Sequence, residues 1–353
     1  MTNPRHCDVL IIGAGPAGSS AARELAANGY NVLVAEKFKM PRDKSCSGIL
    51  INKSLQLLES YFGSPPPRAA VCAPAENRGM VFTNDEGKEY VYEQKGLNIW
   101  RNSFDYWLAQ KAAAVGATWK DETAVINYEE KGDFVVVKLK NKGGGEYLAK
   151  AKIVIDCSGV CSVKRKLFPF PRGYIYTYQT FNKGSVDLDP HYFYAYLQPR
   201  FSGYDAWFNV KDDQLIFGVS VEVKDTAKIG SYYSSFIEYM AREHSAKIDA
   251  REKVEKWLMP QVLPGCPINH GAGRILFAGE AAGFLNPMGE GISAALESGF
   301  AAAKAVQQAD LRSRFAAQAI LAAYAENTLA VKTYMERQWR FVADLSAKFS
   351  HMK

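Results

Sequence analysis

Hydrophobic and polar positions along the first forty residues follow a strand–helix–strand order. Residues 7–12 form a short apolar run, residues 13–18 form a glycine-rich turn, and residues 17–28 have helical composition that ends at Gly29. Residues 31–35 form a second apolar run that ends on Glu36. This order predicts a buried strand, a tight turn, a helix and a second strand.

Two later segments repeat the pattern of an apolar run that ends in a glycine or an acid. Residues 153–155 end on Asp156, and residues 275–278 end on Gly279 and Glu280. A helix is predicted over residues 292–308. Ligands of open α/β sheets bind outside the carboxyl ends of the strands. The three strand ends, although far apart in sequence, are therefore expected to surround one ligand.

The region between these segments is rich in aromatic residues and short strands. Tyr176 and Tyr178 recur at a period of two, as do the tyrosines around Tyr194, so each set is expected on one face of a strand. We predict an antiparallel sheet here and expect these tyrosines to line a substrate cavity. Packing on the sheet face is the alternative. From residue 311 onward the chain is predicted to be helical.

The residue types in the opening turn have physical roles in binding a dinucleotide. Gly13 permits the tight turn, Gly15 lets the backbone approach a pyrophosphate, and Gly18 lets helix and strand pack closely. The start of the helix presents free N–H groups and a positive dipole end to phosphates. Glu36 stands where a carboxylate accepts hydrogen bonds from ribose hydroxyls.

Composition narrows the function classes further. The 353 residues carry a net charge of +6, which suits an anionic cofactor and does not by itself indicate nucleic acid. None of the six cysteines shows C-x-x-C spacing, and none of the five histidines shows metal-ligand spacing, so no metal site is expected. With no signal peptide expected, we predict a cytoplasmic protein, with at most peripheral membrane contact through the basic C-terminal helix.

Taken together, the motifs resemble those of the FAD-dependent hydroxylase fold of aromatic monooxygenases and, within it, the geranylgeranyl reductase family. Residues 13–18 with Glu36 resemble the ADP-binding turn of that fold. Residues 156–165 are similar to its second motif, and residues 279–292 resemble its third. The sequence AAGFLNPMGEGI favours the reductases, because hydroxylases usually carry a histidine after the two alanines. Glu280 stands where the family usually has aspartate.

The resemblance implies a cofactor, a set of residues and a domain order. It implies FAD held by Gly13, Gly15, Pro16, Ala17, Gly18, Glu36, Lys37, Arg42, Cys46, Ser47, Gly48, Arg101, Val125, Gly159, Gly279, Glu280, Pro287, Gly289, Gly291 and Ile292. The expected fold is α/β, with a Rossmann-like FAD-binding domain (residues 1–70, 98–165 and 265–310) and an inserted antiparallel substrate-covering sheet (residues 71–97 and 166–264). C-terminal helices are expected over residues 311–353.

Two further assignments come from the resemblance. Residues 41–48 look like the reductases' cysteine-bearing loop, which makes Cys46 the candidate proton donor or redox group; a small buried residue is the alternative. Residues 204–209 approximate the reductases' Tyr-x-Trp-x-Phe-Pro segment. Tyr204 and Trp207 therefore join the tyrosines as candidate substrate-lining residues.

The leading hypothesis is an FAD-dependent oxidoreductase that reduces C=C bonds of a hydrophobic, isoprenoid-like substrate by hydride transfer from reduced flavin. Cys46 or water would provide the proton, and NAD(P)H, bound transiently, or an electron-donor protein would provide the electrons. One alternative is an FAD-dependent monooxygenase that hydroxylates an aromatic compound. A second alternative is a non-catalytic or redox-sensing flavoprotein.

Overall fold

The computed structural model describes residues 5–163, 173–313 and 315–352. Lys164 and Arg165, at the end of the second motif, lie outside the described residues. The strands in chain order are β1 (Arg5–Ile12), β2 (Val32–Ala35), β3 (Ile49–Ile51), β4 (Val71–Thr83), β5 (Glu89–Ile99), β6 (Thr118–Lys120), β7 (Thr123–Lys131), β8 (Phe134–Asn141), β9 (Glu146–Asp156), β10 (Tyr174–Ser185), β11 (Tyr192–Tyr196), β12 (Ala206–Lys211), β13 (Gln214–Glu222), β14 (Lys247–Pro260), β15 (Gly271–Ala272) and β16 (Ile275–Phe277).

The α-helices are α1 (Pro16–Ala27), α2 (Asn52–Phe62), α3 (Arg101–Ala113), α4 (Ile229–His244), α5 (Ile292–Gln307), α6 (Ala316–Asn327) and α7 (Leu329–Leu345). A short 3₁₀ segment, Ala347–Met352, follows α7. In the described part of the chain, the strands form two sheets of eight strands each.

The first sheet is Rossmann-like, because its inner strands are parallel in the order β16-β9-β1-β2-β6. The hairpin β7–β8 joins it through antiparallel pairing of β8 with the first half of β9. The register sets Ala35, Ile12, Asp156 and Phe277 side by side in one row across four strands. The carboxyl ends of β2, β1, β9 and β16 are therefore level, which brings the three sequence motifs to one edge of the sheet.

Helices α1 and α5 pack against each other through small side chains. A Cβ added at Gly299 would overlap the carbonyl of Ala17, and Ser20 Oγ donates to the carbonyl of Leu296 at 2.9 Å. Small residues allow this close approach. The contact fixes the start of α1, which carries the glycine turn, relative to α5.

The second sheet has the order β14-β10-β13-β12-β11-β4-β5-β3. It is antiparallel except where β11 runs parallel to β4. Strand β3, within the segment 1–70, pairs with β5 at the edge of the second sheet. Two β-branched isoleucines favour this extended conformation before α2 begins.

The two faces of the second sheet have different surroundings. Helix α4 packs on one face, where Tyr233, Phe236 and Met240 are buried among aromatic residues of the strands. The opposite face is turned toward the first sheet and the C-terminal helices. Side chains that alternate along each strand are thus divided between a packed layer and a cavity.

The C-terminal helices pack on the body of the protein through an apolar stripe. Val331, Met335, Trp339 and Val342 of α7 are buried. Tyr324 of α6 donates its hydroxyl to the carbonyl of Phe277 at 2.9 Å. In the described residues, none of the helices has both the length and the apolar character needed to cross a bilayer.

Candidate cofactor and substrate site

Three glycines show how closely the three motifs approach one another. A Cβ added at Gly13 would lie 2.8 Å from the carbonyl oxygen of Cys157, which joins the first motif to the second. One at Gly159 would lie 3.2 Å from Glu280 Oε2, and one at Gly279 would lie 3.0 Å from Ala17 Cβ. All three glycines have positive φ, between +62° and +96°. The strand ends therefore converge, as the sequence pattern predicted.

Glu36 and Arg42 form a charged pair beside the glycine turn. Glu36 is 4% exposed and accepts hydrogen bonds from Ala14 N and Phe38 N, each at 3.0 Å. Arg42 Nε lies 3.4 Å from Glu36 Oε2, and its Nη1 lies 3.1 Å from Asp105 Oδ2. The guanidinium group thus stands next to the open N-terminus of α1, where positive charge favours a phosphate.

Arg101 and Cys46 are held at the start of α3. Arg101 is 8% exposed and makes a bidentate contact with Asp105, at 3.0 and 2.9 Å. Burial opposes the charge of Arg101, but the Asp105 carboxylate and a hydrogen bond to the Cys46 thiol outweigh burial and raise the pKa of Arg101. The thiol also accepts from Gly48 N at 3.3 Å. Cys46 is half-buried rather than enclosed in the core.

Lys44 and Glu280 face each other across the site. Lys44 Nζ lies 3.9 Å from Glu280 Oε2 and 4.1 Å from the ring centre of Trp257. Burial lowers the pKa of Lys44, although the Glu280 charge acts in the opposite direction. Among the described residues, the buried Glu280 Oε1 has no hydrogen-bond partner. An unpaired buried carboxylate oxygen is costly, which indicates that a ligand donor satisfies it.

Asp156 organises the second motif from within. Its buried carboxylate accepts from the Tyr128 hydroxyl at 2.7 Å, from Ser162 Oγ at 2.6 Å, and from both the amide and the hydroxyl of Ser158. Burial, and then the Asp156 charge, raise the pKa of Tyr128. Tyr128 could not be predicted from the sequence, because a single tyrosine on a strand carries no local signal of a partner 28 residues away.

Glu290 caps helix α5. Its carboxylate accepts from Ser293 N at 3.0 Å, from Ser293 Oγ at 2.8 Å and from Asn286 Nδ2 at 2.6 Å. The carboxylate satisfies an N–H group of the first helical turn. This makes Glu290 a structural residue of the third motif.

A single cavity of about 290 Å³ runs along these groups. Most of the predicted cofactor residues line it: Gly13, Gly15, Pro16, Ala17, Glu36, Lys37, Arg42, Cys46, Ser47, Arg101, Val125, Gly159, Gly279, Glu280, Gly289, Gly291 and Ile292. Gly18, Gly48 and Pro287 are not among the residues that line it. A Cβ at Gly18 would overlap the carbonyl of Gly13, so Gly18 shapes the turn through backbone packing.

The substrate residues predicted from sequence divide between two faces. Tyr204 and Trp207 line the cavity. Tyr176, Tyr178 and Tyr194 were expected to line the cavity, but they lie on the opposite face of the second sheet. Tyr178 packs edge-on against Tyr233 of α4, and Tyr194 is buried in the same aromatic layer. The period of two grouped the tyrosines correctly but did not indicate which face was inward.

The remaining walls of the cavity are formed by strand residues that alternate with these tyrosines and by residues of the C-terminal segment. The lining residues that were not predicted from the sequence include Ile175, Thr177, Gln179, Phe193, Trp257, Met259, Val262, Leu285, Trp339 and Phe349. Trp339 donates its Nε1–H to the carbonyl of Leu285 at 3.3 Å. The C-terminal helices therefore complete an apolar wall next to the motif residues.

The residues present fit an FAD molecule. A Cβ at Gly15 would meet only Arg42 Nη2, at 3.6 Å, so space remains for a pyrophosphate beside a cation. The first turn of α1 has no side-chain cap in the structure. Glu280 retains a free acceptor for a hydroxyl-bearing chain. Sites for phosphate and for a hydroxyl-bearing chain thus lie along one cavity, which defines the class of an FAD-binding protein.

Comparison with known proteins identifies the family. A family model described as FAD binding domain matches residues 6–338. The chain therefore belongs to this FAD-binding family, and it is an FAD-dependent oxidoreductase. The predictions of the cofactor and of the Rossmann-like fold with a second, largely antiparallel sheet are confirmed.

Individual relatives agree with the resemblance seen in the sequence. The chain is 28% identical over 325 residues to a digeranylgeranylglycerophospholipid reductase of Methanocaldococcus jannaschii, covering 86% of this chain and 77% of that protein. It is 26% identical over 323 residues to the protein of the same name from Thermoplasma volcanium, covering 86% and 78%. A geranylgeranyl bacteriochlorophyll reductase-like structure from Thermoplasma acidophilum matches with a TM-score of 0.79 and 21% identity, covering 97% and 87%, which shows the shared fold.

Proposed function

We propose that this protein reduces C=C bonds of a hydrophobic, isoprenoid-like substrate. The observation that carries the proposal is the composition of the 290 Å³ cavity. Its lining combines the motif residues and Cys46 with apolar side chains such as Trp207, Trp339 and Phe349. An apolar chain is driven into such a cavity by removal of its surface from water. The named activity of the two reductase relatives supports the same choice.

The chain's own groups divide the work between binding and proton transfer. FAD, when bound in its reduced form, would supply the hydride for one carbon of the double bond. We assign Cys46 Sγ as the donor of the proton to the other carbon, because the thiol lines the cavity and is held by Arg101 and Gly48 N. Trp207 and Trp339 exclude water from the double bond. Arg42 and the start of α1 are assigned to the phosphates, and Glu280 to a hydroxyl of the cofactor.

The domain order proposed from sequence also fits this division. The motif segments, within residues 1–70, 98–165 and 265–310, would hold FAD, and the sheet of residues 71–97 and 166–264 would cover the substrate. The sequence contains one glycine fingerprint of the dinucleotide type, at residues 13–18. We therefore assign the supply of electrons to an electron-donor protein or to transiently bound NAD(P)H.

The test uses purified protein with FAD, reduced by dithionite without oxygen and mixed with geranylgeraniol or a prenylated glycerol ether. Mass spectrometry should show products that have gained two hydrogen atoms for each double bond reduced. A Cys46→Ser variant should bind FAD normally but form product more slowly. No mass change with any prenyl compound would contradict the proposal.

The same assay separates the monooxygenase and non-catalytic alternatives. A monooxygenase would consume NAD(P)H in air and add one oxygen atom to an aromatic compound. A redox-sensing flavoprotein would alter neither type of compound. The proposed reductase is expected to give product without oxygen, and products that contain a new oxygen atom would replace it with the monooxygenase.

A further inference from the structure

Lys211, at the end of β12, is a buried lysine that the proposed function does not use. Its side chain is 1% exposed, and Nζ lies 4.6 Å from the ring centre of Trp100. Nζ donates to the carbonyl oxygen of Cys46 at 3.3 Å. A lysine is rarely buried to this degree unless its charge has a specific role or partner.

The carboxylates near Lys211 are bonded to other groups. Asp212 accepts from Trp100 Nε1 and from Ala73 N, each at 2.8 Å. Glu255 pairs with Lys253 at 2.8 Å and accepts from Gln179 Nε2 at 2.7 Å. In the described part of the chain, neither carboxylate lies within ion-pair distance of Lys211 Nζ, so a direct ion pair does not account for the position of this lysine.

Lys211 and its neighbour on the strand both reach the cysteine-bearing turn. Trp207, Asn209 and Lys211 alternate along β12 and share one face. Trp207 lines the cavity, and Asn209 Nδ2 donates to the carbonyl of Ser47 at 3.5 Å. The second sheet thus contacts the carbonyl groups of Cys46 and Ser47, two consecutive residues of the turn.

Gly48, in the same turn, packs directly against Lys211. Gly48 has a φ of +72°, and a Cβ there would overlap both Lys211 Nζ and the carbonyl of Ile99. Gly48 N donates to the Cys46 thiol. The ionisable groups that interact with the Lys211 ammonium are Cys46, Cys72, Glu255 and Arg101.

We propose that Lys211 is a positioning residue for Cys46. Its ammonium group holds the turn at residues 46–48 against the second sheet. It also places a positive charge that stabilises the negative sulfur left when Cys46 gives up its proton. Burial lowers the pKa of Lys211, which is the cost of placing this charge there. The inference rests on the proposed role of Cys46 and adds a residue from the second sheet to the proton-donor site.

The test measures the alkylation rate of Cys46 by iodoacetamide, since the thiolate is the reacting form. The full chain carries Cys161→Ser, because Cys161 is exposed, and peptide mass spectrometry follows Cys46 alone. Lys211→Gln keeps a donor for the Cys46 carbonyl but removes the charge. We expect Cys46 in this variant to react about tenfold more slowly, the effect of losing one nearby opposite charge.

Controls separate this effect from a loss of structure. Lys183→Met changes a lysine on β10 that pairs with Asp213, and it should leave the Cys46 rate unchanged. A lysine that only supported the fold would, when removed, loosen the turn and speed alkylation. If Lys211→Gln fails to fold, the alkylation rate is measured in Lys211→Met, which has an uncharged side chain of similar length and tests the same prediction. An unchanged or faster rate in a folded Lys211 variant would overturn the proposal.

The alkylation rate does not depend on turnover. A protein that reduces no alkene but shows slower alkylation in Lys211→Gln would contradict the proposed function and leave the Lys211 inference standing. A protein that reduces alkenes but whose Cys46 alkylation rate is unchanged in Lys211→Gln would support the proposed function and contradict the Lys211 inference.

Discussion

The two sheets contribute to the cavity in different ways. The first sheet contributes strand ends, and its groups are largely backbone atoms, glycines and the start of α1. The second sheet contributes one face, and its groups are alternate side chains of strands such as β10 and β12. A backbone site tolerates little change at its glycines, whereas a face made of side chains can be altered residue by residue.

Because of this difference, substitutions in the two sheets should affect different properties of the protein. Substitutions at the strand ends should disturb FAD binding and local structure together. Substitutions on the inner face of the second sheet should change substrate binding with little effect on FAD, and those on the outer face should change stability alone.

The largest effect is expected at the glycine turn. Gly18→Val places a branched side chain against the Gly13 carbonyl, so α1 must move away from β1 and the phosphate site is lost. We expect protein without the visible flavin absorbance, even after incubation with FAD. Gly143→Ala, at a glycine with open space around it, is the matched control and should retain FAD. Normal FAD binding by Gly18→Val would show that the turn does not form the site.

The next effect contrasts neighbouring residues on the two faces of β12. Phe208 is fully buried against the α4 layer, so Phe208→Ala should lower the free energy of unfolding by about 3–5 kcal/mol. Trp207 lines the cavity, so Trp207→Ala should mainly raise the KM for a prenyl substrate. Urea unfolding and steady-state kinetics measure the two effects. If both variants lost the same stability and had the same kinetics, the assignment of Phe208 and Trp207 to different faces would be contradicted.

The sequence allowed prediction of the strand ends but not of the inner face. Gly13, Glu36 and Gly279 could be predicted because a turn that approaches phosphate demands particular residues at fixed spacing. The prediction for Tyr178 was wrong because alternation shows only which residues share a face of a strand. Both faces of this sheet are buried, so hydrophobicity does not show which face is turned toward the cavity. Trp339 was missed because its contact with Leu285 spans 54 residues and has no local pattern.

A smaller effect should separate two acids of the third motif. Glu280 has a free oxygen at the site, so Glu280→Gln should weaken FAD binding by about 1.5–3 kcal/mol, the range for hydrogen bonds to charged groups. Glu290 caps α5, so Glu290→Gln should cost about 1 kcal/mol of stability. Calorimetric titration with FAD and urea unfolding of the FAD-free protein test the pair. A reversal of the two outcomes would exchange the assigned roles.

The smallest effect concerns the C-terminal wall. Lys348 Nζ donates to the carbonyls of Ser202 and Tyr204, and burial, partly opposed by Asp205 and Asp85, lowers its pKa from 10.5 to about 8. The unfolded chain therefore binds more protons between these two values, and stability attributable to Lys348 rises as the pH increases through this range.

Comparison with Lys348→Met isolates this contribution. The stability of the wild-type protein relative to Lys348→Met should be constant below about pH 7 and should increase toward about pH 9.5. Urea unfolding of both proteins across this range measures the difference. A difference that stays flat, or that falls as the pH rises, would show that Lys348 is not buried in the protonated form.

Titration of flavin-free protein with FAD tests most directly the convergence of the three motifs on one cofactor. The structure predicts a single class of site that saturates at one FAD per chain, with the affinity lost in Gly18→Val and reduced in Glu280→Gln. A folded protein that binds no FAD, or that binds FAD equally well in both variants, would contradict it.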